Sequence, residues 1–256
     1  MSQSIAVIPE IVEPVVQEDI EKVTEEVEAK DVDASPTLTF EEYRCFRGES
    51  GVKYELYRGK LITMGTATAL HASICEFFVY KLQRYLAEHN LDLVVKTSVG
   101  VRTEKASSRI PDVVVCTQSL WQQILDRPGS CILDLDETPL LVVEVVSEDR
   151  RADYVIKRAE YELANVPEYL IFDPAKNKHR VRVLSFIEGE ESYTQVDYLP
   201  GQEMSSVVFP DLVLSVDEVL NPPLVEELIK EEQSRLQKTE RLAAKLREMG
   251  VNPDDI

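Results

Sequence analysis

No stretch of eighteen apolar residues occurs in the 256-residue chain, and its start, MSQSIAVIPE, lacks a basic segment followed by an apolar one. Neither a membrane span nor a secretory signal is therefore expected, and the expected location is cytoplasmic. Cysteine is scarce: Cys45, Cys75, Cys116 and Cys131 are far apart, with no CxxC pair and no histidine at zinc-ligand spacing. They are read as reduced thiols that fill core space. Basic residues are also in deficit, with 28 Lys and Arg against 47 Asp and Glu, a net charge of −19. Residues 1–35 hold ten acidic and two basic side chains, and residues 221–256 hold eight and six, which leaves 29 acidic and 20 basic between them. The central part is thus itself acidic, and tight non-specific binding to nucleic acid is not expected. No helix-turn-helix, zinc finger or arginine cluster suggests a code for reading bases.

What is present divides the chain into three. Residues 1–36 mix Val and Pro with the acidic run EDIEKVTEEVEAKDVD and contain no aromatic residue, the composition of a disordered leader. Residues 37–220 read as one α/β domain. It opens with TFEE, a capping box with Thr39 as N-cap and Glu42 three residues on. VKYELYRGKLITM predicts two strands around a turn at Arg58-Gly59. The apolar residues Leu70, Ile74, Phe77, Phe78, Leu82, Tyr85 and Leu86 recur at helical spacing and should pack on a sheet. LDLVVKTSVGVRT suggests two short strands or one bent strand, and RPGSCILDLDETP a loop. Val113 to Cys116 and LLVVEVVS are buried strands. The helix predicted from about Arg151 to Ala164, followed by the strand EYLIFDP, makes a βαβ unit, so the sheet is expected to be mixed. Residues 221–256 form a charged C-terminal helix and tail, too short in its apolar repeat to specify a coiled coil.

Three ionisable residues stand where the local sequence should bury them. Asp112 immediately precedes the apolar run Val113 to Cys116, and Glu144 interrupts the most hydrophobic strand. A carboxylate there costs several kcal/mol unless something pairs with it. A divalent cation is one such partner, and carboxylates, a backbone carbonyl and water suit Mg2+ or Mn2+. Lys157 lies thirteen residues after Glu144, on the predicted helix, and Asp153, Lys157 and Tyr161 share a helix face by their spacing of four. Singly, each has an ordinary structural explanation: a turn aspartate, a core charge, a solvated helix pair. The three together are more specific.

PDVVV, LLVVEVVS, DYVIKRAEYELANVPEYLIFDP and YELYRGKLI resemble the motifs of the Uma-type restriction endonucleases, a branch of the PD-(D/E)xK nuclease superfamily, over about residues 38–220. The resemblance implies a restriction-endonuclease-like α/β fold, a mixed central sheet flanked by helices, and metal-dependent hydrolysis of DNA. It places the catalytic carboxylates on Asp112 and Glu144 and an additional one on Glu55; in the mechanism expected from these residues, Asp112 and Glu144 hold Mg2+ or Mn2+ together with the carbonyl of Val145. The superfamily's strand lysine is missing, since the position two after Glu144 is Val146, and Lys157 takes its place. His71 matches a histidine at the start of the long helix. A homodimer would supply two centres for cutting both strands of a duplex. The alternative is a catalytically inactive nuclease fold serving as a binding or regulatory module, and a third reading makes the C-terminal helix an assembly element.

Overall fold

The computed structural model describes residues 37–147, 149–249 and 252; the acidic leader expected over 1–36 lies outside the described residues. The capping box forms as TFEE predicts. Thr39 Oγ1 accepts from the Glu42 N–H at 3.3 Å and the Glu42 carboxylate accepts from the Thr39 N–H at 2.8 Å, opening helix α1 (Phe40–Arg44). Strands β1 (Tyr54–Tyr57) and β2 (Lys60–Thr63) follow as a hairpin. Arg58 and Gly59 turn it with φ of 48° and 82°, the primed geometry that matches strand twist.

Helix α2 (Ala69–Glu88) is capped by Thr68 and buries Ile74, Phe77, Phe78, Leu82, Tyr85 and Leu86, as their periodicity implies. The alternating stretch after it resolves into two strands, β3 (Leu93–Lys96) and β4 (Gly100–Glu104), which join different sheets. Ser98, at φ 59°, lies between them. Then come β5 (Ser107–Arg109), β6 (Val113–Thr117), α3 (Gln118–Leu125), β7 (Ile132–Leu133) and β8 (Leu141–Val145). The segment expected as a loop thus contains a two-residue strand, held parallel to β4. The helix expected from Arg151 begins instead as a π-helical turn, Ala152–Ile156, and continues as α4 (Lys157–Leu163). The chain ends with β9 (Glu168–Asp173), β10 (Arg180–Ser185), β11 (Thr194–Tyr198), a small hairpin of β12 (Glu203–Ser205) and β13 (Val213–Ser215), α5 (Val216–Leu220) and α6 (Val225–Glu248).

Six strands make a mixed sheet in the order β11-β10-β9-β8-β6-β3, with β8 and β9 parallel as the βαβ reading requires. Side chains alternate across it. Val113, Val115, Leu141, Val143, Val145, Leu170 and Phe172 face α2, where Phe78 meets Phe172 edge-on at 4.9 Å. Val114, Val142, Tyr169 and Ile171 face the other way, toward Tyr161 of α4 and Val99, Val101 and Leu133. A second sheet, β2-β1-β5-β4-β7, was not anticipated; the contact between β1 and β5 joins residues about fifty positions apart, a pairing that no local pattern encodes. No helix among the described residues is long and apolar enough to cross a membrane.

Candidate metal and catalytic centre

Asp112 and Glu144 lie on neighbouring strands at one end of the mixed sheet. Val113 of β6 pairs with Val143 of β8 in antiparallel register, so Asp112, one step before the pair, and Glu144, one step after it, stand across from each other. Asp112 Oδ2 accepts the Val145 N–H at 2.7 Å. In an extended strand a residue's N–H and C=O leave on the same edge, so the Val145 carbonyl also faces the Asp112 side. Asp112 Oδ1 lies 2.9 Å from His71 Nε2, in the first turn of α2, and both side chains are 17% exposed, which leaves this corner open to solvent.

Glu144 points into the opposite layer and is 3% exposed. One carboxylate oxygen accepts from the Tyr161 hydroxyl at 2.9 Å, and the other lies 2.8 Å from Lys157 Nζ. The ammonium also touches Asp153 at 3.1 Å and comes within 3.8 Å of Glu55. The structure thus gathers Glu55, Glu144 and Lys157 in one buried cluster, with Asp112 at its edge. Asp153 and Tyr161, which shared the predicted helix face, join it. Tyr169 of β9 donates to the Asp153 carbonyl at 2.9 Å and packs edge-on against Tyr161, fastening the π turn to the sheet. Such turns recur at functional sites because the wider turn redirects a side chain.

The charges here are not balanced. Burial pushes the Glu144 carboxyl well above its ordinary range; Lys157 pulls against this, while Asp112, Asp153 and Glu55 add to it. Burial likewise raises Asp153, whose Oδ2 is buried with no hydrogen-bond partner. Lys157 goes the other way: burial opposes its charge, but Glu144, Glu55 and Asp153 hold it firmly as an ammonium. Glu55 is held low despite burial by Lys157, by Arg109 and by the Ile110 N–H. Arg109 closes the far side, donating to Glu55 at 3.0 Å and to both oxygens of Glu160 at 2.6 and 2.7 Å. Three carboxylates, Glu55, Glu144 and Asp153, therefore surround one ammonium, with Arg109 divided between Glu55 and Glu160. The orphaned Asp153 Oδ2 is the kind of acidic oxygen a divalent cation would accept, but among the described residues the group of three ligand atoms that lie within 4.8 Å of one another is His71, Cys75 and Asp112.

Sequence reasoning missed Arg109 and Glu160, since a surface ladder and a buried pair look alike in a short polar strand such as SSR. Of the four thiols read as core filler, Cys45 is exposed, whereas Cys75 packs against the core and also lies beside His71. The thiol lies one helical turn after His71, and His71, Cys75 and Asp112 offer ligand atoms that all lie within 4.8 Å of one another. The expectation of no histidine at ligand spacing is corrected here: on α2, positions 71 and 75 share a face, as any i,i+4 pair does.

Residues 40–217 match the Uma2 family, described as "Putative restriction endonuclease". The chain belongs to the Uma2 family. This Uma2 protein also resembles a solved structure titled as a putative nuclease belonging to DUF820 from Anabaena variabilis ATCC 29413, at 16% identity and a TM-score of 0.55. That match covers 72% of this chain and 97% of the other, and at such identity it speaks for the fold. No curated protein matches the chain.

Proposed function

We propose that the chain is a metal-dependent endonuclease that hydrolyses phosphodiester bonds in DNA. The observation that carries this reading is Lys157, 2.8 Å from Glu144 and flanked by Asp153 and Glu55, beside the strand end where Asp112 meets Val145. Asp112, Glu144 and the Val145 carbonyl would hold Mg2+ or Mn2+, a hard ion suited to oxygen donors. When bound, such an ion supplies a Lewis acid that polarises the phosphate and makes water a better nucleophile. Lys157, fixed as an ammonium, orients the water and stabilises the charge that grows on the phosphate oxygens. Glu55 and Asp153 hold that ammonium in place, and Tyr161 fixes the Glu144 carboxylate by a donated hydrogen bond. Arg109 and Glu160 brace Glu55 from behind.

The test is incubation of the purified protein with varied duplex and single-stranded DNA and Mg2+ or Mn2+, beside Asp112→Ala and Lys157→Met. Cleavage by the wild type alone is the expected result. Equal cleavage by wild type and variants would remove the assignment. A second reading, a non-catalytic binding or regulatory module of the same fold, is favoured by the acidic central region and by the engagement of both Glu144 oxygens within the protein. Thermal melting separates the two, because an ion that binds the folded state alone raises its stability. A Mg2+-dependent rise lost in Asp112→Ala supports the nuclease; no rise with either ion supports the module.

A further inference from the structure

We propose that His71, Cys75 and Asp112 form a binding site for a thiophilic divalent ion of the Zn2+ class, distinct in its donors from the oxygen site of the hydrolytic reading although it shares Asp112. The three ligand atoms come from two elements that the fold holds rigidly together. His71 and Cys75 project from the first two turns of α2, which Ile74, Phe77 and Phe78 anchor in the core. Asp112 stands at the start of β6, its Oδ2 fixed by the Val145 N–H and its Oδ1 2.9 Å from His71 Nε2. A backbone donor that orients a ligating carboxylate is the support such sites need.

The spacing suits the ion. Zinc bonds of roughly 2.0–2.1 Å to nitrogen, 2.0–2.2 Å to oxygen and 2.3 Å to sulfur, in tetrahedral geometry, put the ligand atoms about 3.3–3.6 Å apart. Here all three atoms already lie within 4.8 Å of one another, so small side-chain rotations suffice. All three residues are partly exposed, so the site lies near the surface. Mixed nitrogen, sulfur and oxygen donors select Zn2+ or Co2+, whereas Mg2+ prefers oxygen alone. Binding forms one bond each to His71 Nε2, Cys75 Sγ and an Asp112 oxygen; the imidazole takes the tautomer protonated at Nδ1, so that the ion replaces the His71–Asp112 hydrogen bond, the thiol proton leaves to solvent, and no redox change occurs.

The probe is Co2+, added to the full-length protein without DNA and followed by absorbance. A stoichiometric thiolate-to-cobalt charge-transfer band in the near ultraviolet, bleached by one equivalent of Zn2+, is expected. It should vanish in Cys75→Ser, persist in Cys45→Ser, and require at least tenfold more Co2+ in His71→Gln. Circular dichroism checks that each variant is folded, with Cys75→Ala as the substitute if the serine variant is not. A wild type without the band, or a band that survives loss of the Cys75 thiol, overturns the proposal. Since the band is read without nucleic acid, its absence leaves the hydrolytic reading standing, and a failure to cleave DNA leaves the band standing.

Discussion

Glu144 is a carboxyl group that the folded protein keeps from ionising freely, and pH should expose this. Burial, with the charges of Asp112, Asp153 and Glu55, raises it far above its ordinary 4.5 in spite of Lys157. The folded state then binds this proton more tightly than the unfolded chain does. The stabilisation is complete below the unfolded value and is lost as pH rises through the raised one. Metal-free Glu144→Gln lacks this loss. Its melting temperature should therefore gain on wild type between about pH 5 and 8, by roughly 3 °C or more, the equivalent of about 1 kcal/mol at this size. Parallel melting curves across that range check this; a constant gap would mean that Glu144 is not raised. Lys157 has the opposite part. Lys157→Met would leave Glu144, Glu55 and Asp153 facing one another without their ammonium, a loss of about 3–5 kcal/mol for a broken buried pair. Urea unfolding of the metal-free variant should show it, with the cost shrinking toward acid pH as the carboxyls protonate.

Arg109 and Glu160 make the corresponding case for elements. Both are buried, and their fork-to-fork pair ties β5 of the second sheet to α4 of the crossover, with Thr103 of β4 donating to the same carboxylate at 3.0 Å. Glu160→Ala is expected to destabilise by about 3 kcal/mol in denaturant unfolding, because it removes both hydrogen bonds of the bidentate pair and leaves the buried guanidinium with Glu55 alone. Glu160→Gln, which keeps an acceptor, should cost less. Gly100 is the matching steric joint: a Cβ there would lie 2.7 Å from Ile132 Cγ1, so Gly100→Ala should cost about 1–3 kcal/mol by forcing β4 and β7 apart. Much of this level was legible in the sequence. Alternation around Arg58-Gly59, the three-and-four spacing along α2 and the unbroken run of β8 each state their own structure, because burial imposes a period that the residues must keep. β7 was not legible, since Ile132 and Leu133 are two apolar residues among turn formers and become a strand only when β4 lies beside them. Nor was the π turn, for ADYVI has no propensity that separates it from an ordinary helix. Asp112 and Glu144 stand out as candidates because a charge in an apolar setting is conspicuous, and Lys157 because its spacing of four from Asp153 and Tyr161 gives them one helix face; the buried pair of Arg109 and Glu160 carries no such mark.

Across the whole molecule, the charge of −19 governs how nucleic acid could approach. Without a divalent ion, the acidic surface should repel the phosphate backbone. Fluorescence anisotropy at physiological salt and in chelator is expected to give affinity for random duplex DNA weaker than roughly 10⁻⁶ M, with a shallow salt dependence. Tight binding under those conditions would point to a basic face that the charge distribution does not suggest. The C-terminal helix bears on the assembly reading. Its first turns join the fold, with Val225 in the core beside α2 and Glu232 reaching Tyr80 at 3.2 Å and forming an ion pair with Arg84, whereas Leu236 and Leu242 further along are exposed. Truncation after Leu220 should therefore lower the melting temperature; an unchanged mass on sizing would remove the helix as an assembly element.

The amine that faces Glu144 rides on the connection between two parallel strands, not on a strand of its own. A position along a pleated chain can change only in steps of about 3.3 Å. A helix has no such step, and where α4 lies on the sheet is set by the packing of Tyr161 against Tyr169. The 2.8 Å between Lys157 and Glu144 thus answers to aromatic packing and not to strand register.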